Sequence, residues 1–63
     1  MNHSEHEYHE AGYKYERLSL PASRIKRSKE LRAMIASEAP EDRDQARRLI
    51  DQGRREYQAY ASR

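Results

Sequence analysis

Cysteine, tryptophan, phenylalanine and valine are absent from this chain, and glycine and proline occur only twice each. Each absence closes a route. Without cysteine there is no disulfide, no thiolate metal site and no thiol nucleophile. Without the three apolar types, the material for a core comes down, apart from Met1, to Leu18, Leu20, Ile25, Leu31, Met34, Ile35, Leu49 and Ile50. No apolar run is long enough to span a bilayer. The acidic N-terminus also lacks the basic and then apolar order of a signal peptide, so an intracellular, cytoplasmic setting is expected.

What is present is mostly charge. Charged residues make up 38% of the 63, with a net charge of only +2. A chain of this length buries only about 60% of the surface its unfolded form exposes, so a thin core is expected. Small proteins in that position rely on disulfides, metals or association. With the first closed, the expectation is a fold completed by dimerisation or by a partner.

The charge falls in blocks. Residues 1–16 carry Glu5, Glu7, Glu10 and Glu16 against Lys14, and residues 17–32 carry six bases against Glu30. Residues 33–45 turn acidic again through Glu38, Glu41, Asp42 and Asp44, and the remainder is arginine-rich. Acids early and bases late in a segment suit the helix macrodipole, so part of this basicity is structural.

The pattern predicts an all-α protein of two or three short helices, a helical hairpin or small bundle, in one domain over residues 1–63. Residues 1–4 are expected as a disordered tail. Ser4-Glu5-His6-Glu7 fits a capping box opening a helix over 5–18. Ser19-Leu20-Pro21 interrupts it, because proline lacks an amide proton and drives the residue before it out of helical geometry. A second helix is expected over 20–37. Pro40, followed by Glu41, Asp42 and Asp44, has the form of a helix start and predicts a third over 40–62.

A packing seam follows from helical spacing. Tyr8, Gly12 and Tyr15 share a face of the first helix with Ala11 and Leu18. In the second, Leu31 and Ile35 face one way with Met34. In the third, Leu49, Ile50, Gly53, Tyr57 and Tyr60 lie on one strip with Ala46. A glycine inside a helix costs about 1 kcal/mol relative to alanine, so its place in an apolar strip implies a neighbour that must come close. The two outer helices, each with a tyrosine-bordered glycine, are expected to pack on each other or on a second copy.

Candidate partner-binding residues are those left off the seam. Tyr13 faces the same side as Arg17, and an exposed tyrosine beside an arginine is a plausible contact. Arg24 and Arg27 sit on the stripe that becomes apolar at Leu31, which suggests that the first half of the second helix projects from the bundle. Asp44–Arg48 and Asp51–Arg55 are spaced as surface ion pairs, which leaves Arg47 and Arg54 for an acidic surface. Ile25 lies off the stripe and is exposed unless the first helix covers it. His3, His6 and His9 lack the spacing of a closed metal site, and they read as solvated side chains.

Catalysis finds no support here. There is no glycine-rich phosphate loop after a strand, and no serine with a base and an orienting acid. No cofactor is implied. The expected function is a protein-binding module, an adaptor, regulator or stoichiometric inhibitor that covers an acidic or mixed-charge surface of a larger partner. Tyrosine and arginine, of which there are five and ten, are enriched at interfaces. The excess of arginine over lysine suits a GC-rich bacterial or phage genome. The second choice is a small basic nucleic-acid- or ribosome-binding protein, favoured by the pI near 9.2 but without a recognisable reading motif.

Overall fold

A computed structural model describes all 63 residues, which form three helices, α1 (Glu5–Arg17), α2 (Pro21–Ala36) and α3 (Pro40–Ala61), and the short segments around them. There are no strands and no residues with positive φ. No helix is long and apolar enough to cross a membrane.

Each helix starts where the local chemistry dictates. The Ser4 hydroxyl accepts from the Glu7 amide at 3.1 Å, and the Glu7 carboxylate accepts from the Ser4 amide at 3.1 Å. This closes a reciprocal capping box. Pro21 and Pro40 occupy the first turns of α2 and α3, and the residues before them, Leu20 and Ala39, are extended. Glu41 and Asp42 add negative charge to the first turn of α3.

α1 and α3 run in the same direction and pack tightly. Near their starts, Tyr8 of α1 meets Glu38, just ahead of α3; near their ends Tyr13 meets Tyr57 and Glu16 meets Gln58. Between these points the two backbones touch at the glycines. A Cβ on Gly12 would lie 2.7 Å from the carbonyl carbon of Ile50, and one on Gly53 would lie 2.9 Å from the carbonyl carbon of His9. Neither position has room for any side chain. The approach is reciprocal: each helix sets a glycine against a carbonyl of the other, the arrangement that permits weak Cα–H···O contacts.

The buried apolar cluster is Tyr8, Leu31, Ala46, Leu49 and Ile50, with Ala11, Tyr15, Met34 and Ile35 partly buried against it. α2 supplies only Leu31 to the buried set and lies across the α1–α3 pair with far fewer contacts than those two share. Its Ile25 stays exposed, as does Leu20 ahead of it.

The N-terminus is a correction. Residues 1–4, expected as a disordered tail, are held by Glu38. Its carboxylate accepts from the amides of Asn2 at 2.8 and 2.9 Å and of His3 at 3.1 Å. The Asn2 side-chain amide donates to the Ser37 carbonyl. Glu38 is 3% exposed, and the Tyr8 hydroxyl lies 2.5 Å from its Oε2 and 2.9 Å from the Met34 carbonyl oxygen. Burial raises the Glu38 pKa, but hydrogen bonds from Tyr8 and from the two amides outweigh this and hold it below 4.5. Burial, then the Glu38 carboxylate, pushes the Tyr8 phenol up to about 12. The latch joins the start of α1 to the α2–α3 connection.

Candidate functional site

Two positions exchange roles relative to the sequence reading. Tyr13, expected as an exposed contact, packs edge-on to Tyr57 with ring centroids 5.3 Å apart. Tyr60, expected in the seam, is 62% exposed and touches Tyr57 with its ring tilted. The cause is length: α3 has 22 residues against 13 in α1. The last turns of α3 outrun their partner, so the apolar strip continues past the surface it would cover.

Arg24 and Arg54 are corrections too, because their first partners are internal. Both guanidiniums stand over the Tyr15 ring, at 4.9 and 5.0 Å from its centroid. Both also meet Glu16, Arg54 through Nε at 2.9 Å and Arg24 at 3.6 Å. Gln58 donates to the other Glu16 oxygen at 3.1 Å. The Arg54 hydrogen bond, then that of Gln58, holds the Glu16 carboxyl below its usual 4.5. This cluster ties all three helices together. Arg27 pairs with Glu30 within α2 at 3.2 Å. Arg17 is exposed at the end of α1, without an ion-pair partner.

In α3, Asp51 pairs with Arg55 at 2.8 Å, the spacing expected. Asp44 instead takes Arg47, three residues on, at 3.1 Å, and leaves Arg48 alone. The histidines are three separate pairs: His3 with Glu7, His6 with Glu10, and His9 with Glu56 across the α1–α3 seam at 2.8 Å. No three of the chain's His, Asp and Glu side chains gather as a metal-binding group.

The main concave feature lies between α2 and α3, where the shallow packing of α2 leaves a groove. One hollow of about 390 Å³ is lined by Arg32, Ile35, Ala36, Arg43 and Arg47. A second, of about 240 Å³, adds Ser28, Leu31, Ile50, Asp51 and Arg54 while sharing Arg32, Ile35 and Arg47. Beyond Arg32 a separate hollow lies between α1 and α2, lined by Tyr15, Arg24, Ile25 and Ser28. The floor is thus aliphatic, and the walls are guanidinium.

The electrostatics of the groove are unbalanced. Arg32 is exposed and makes no ion pair, although Asp51 lines the same hollow. Arg43 donates only to backbone carbonyls, to Glu38 from Nε at 3.1 Å and to Ala36 from a terminal nitrogen at 3.3 Å. That position lets it cap the C-terminus of α2 while its charge remains uncompensated by any acid. Arg47 holds Asp44 only in an exposed pair, and the nearby Asp51 is engaged by Arg55. Arg32 and Arg43 were missed in the sequence. A projection of α2 does put Arg32 on one face with Ile25 and Ala36, but nothing local shows that this face looks toward α3.

Compared with known proteins, the chain matches no family model, no curated protein and no solved structure. The geometry of the groove therefore carries the functional reading.

Proposed function

We propose that the chain is a non-catalytic protein-binding module, an adaptor, regulator or stoichiometric inhibitor, that engages a larger protein through the α2–α3 groove. The observation that carries this is the pairing of an aliphatic floor at Leu31, Ile35 and Ile50 with arginines that have no acid of their own. Interface cores are depleted in charge and enriched in arginine, and an arginine fork on an apolar bed suits both halves of that rule. The chemistry available is grip: bidentate hydrogen bonding to carboxylates beside apolar burial.

A second reading, a basic nucleic-acid- or ribosome-binding protein, draws on Lys26, Lys29 and Arg32, three exposed cations of α2 outside every ion pair. The test between them is isolation of the native protein from its source, with and without nuclease. A protein companion in fixed ratio that survives nuclease and cross-links to groove residues supports the first reading. A companion lost to nuclease, with retention falling steeply as salt rises, supports the second and overturns the first.

A further inference from the structure

The occupant of the groove can be specified further, on the assumption that the protein-binding reading holds. We propose that it receives an acidic amphipathic α-helix of a partner protein, about three turns long. The length follows from α3: the residues lining the groove run from Arg43 to Arg54, roughly 16 Å at 1.5 Å per residue. An extended strand in the same groove would present alternate side chains to opposite sides and leave half of them off the floor. A helix instead places residues at i, i+3, i+4 and i+7 along one line, which is the shape of an aliphatic floor running between two helices.

The rims decide the charge. Arg32 stands on the α2 wall and Arg43 and Arg47 on the α3 wall, so a helix lying between them meets cations on both flanks. Glutamates beside its apolar line would complete the two arginines that have no carboxylate. They would take Arg47 from Asp44 at little cost, since that pair is exposed and solvent-screened. A second copy of this chain fits poorly, because a two-fold arrangement over the groove would set Arg32, Arg43 and Arg47 against their own equivalents. A nucleic-acid strand would leave the aliphatic floor without a partner. Base stacking also lacks a platform, since the ring beyond the groove's end, Tyr15, already carries Arg24 and Arg54.

The test is a selection on the immobilised full-length protein. The probe is a displayed library of helical peptides with leucine at i, i+3, i+4 and i+7 and flanking positions randomised between glutamate and lysine. Wild type is expected to enrich glutamate flanks. The Arg32→Glu, Arg47→Glu double variant should lose tenfold or more in affinity for the selected peptides and enrich lysine flanks instead. An Arg48→Glu control, at an exposed and unpaired arginine of α3 outside the groove, should bind as wild type, and melting curves of all three proteins should show that the fold is retained. Enrichment indifferent to flank charge, or peptide binding unaffected in the double variant, overturns the proposal. So does binding of an oligo-dT strand that depends on Arg32 and Arg47 while no peptide is selected. Self-association lost in the double variant would assign the groove to a second copy and likewise overturn it. A fixed-ratio native companion that the double variant still retains would sink the acidic helix while leaving the protein-binding reading in place.

Discussion

The two sides of α3 show opposite solutions to the same shortage of apolar residues. Toward α1, the helix closes: Gly12 and Gly53 bring backbone to backbone, Tyr8 is fully buried, and the polar groups at the edges are partnered, Glu16 with Arg54 and Glu56 with His9. Toward α2, it stays open: Ile35 is only partly buried, and Arg32 and Arg43 have no acid. Residue size explains the difference. A glycine seam lets dispersion contacts accumulate over a short length. α2 has no glycine and meets α3 through arginines and isoleucines, whose bulk keeps the helices apart.

The most severe way to break this contrast is to add one carbon to the seam. Gly→Ala in a helix ordinarily gains about 1 kcal/mol. Gly12→Ala or Gly53→Ala should reverse that sign and cost about 3 kcal/mol, because the intruding Cβ meets backbone that cannot swing away. Thermal melting followed by circular dichroism measures it. An unchanged or raised melting temperature would mean that the helices are not in backbone contact.

The latch at Glu38 comes next. Tyr8→Phe removes the hydroxyl from a buried carboxylate and should lower the melting temperature by roughly 5 °C. Its pH dependence follows from the shifts. Glu38 and Glu16 are held below 4.5, so the stability they lend is complete above that value and is lost as pH falls through the lowered pKa values. Tyr8 stays neutral to about 12 while an unfolded tyrosine ionises at 10.0, so stability should also fall as pH climbs across that interval. Melting of wild type and Tyr8→Phe across both ranges checks the assignment: the alkaline loss should shrink in the variant.

Smaller effects sharpen the comparison. Arg54→Ala should cost more than Arg24→Ala, since Arg54 bonds Glu16 at 2.9 Å and Arg24 reaches it only at 3.6 Å. Equal costs by chemical denaturation would return Glu16 to a loose surface pair. Arg32→Ala should change stability by less than about 0.5 kcal/mol, because no intramolecular acid depends on it.

The parts that could be read in the sequence are those fixed within a few residues. Ser4 with Glu7, Pro21 and Pro40 mark helix starts by chemistry that acts within one turn. A glycine inside an apolar strip signals close approach whatever the neighbour is, and together with those helix starts and the helical spacing it points to an all-α bundle. What could not be read depends on distance or angle. Glu38 gathers Asn2, His3 and Tyr8 from at least 30 residues away, and nothing local distinguishes it from the other acids. Tyr60 continues the α3 strip correctly, but its exposure is set by where α1 stops. Arg24 and Arg54 looked free because their shared partner, Glu16, lies on a third helix. The groove exists only because of how α2 sits against α3, a relation that no single helix encodes.

Native-state hydrogen exchange, residue by residue, tests this asymmetry most directly. Amides of α1 and α3 around Gly12 and Gly53 should exchange only through global unfolding, while those of α2 open at distinctly lower free energy. Protection that is uniform over the three helices, or greatest in α2, would contradict a fold held by one closed seam with an open arginine-walled face beside it.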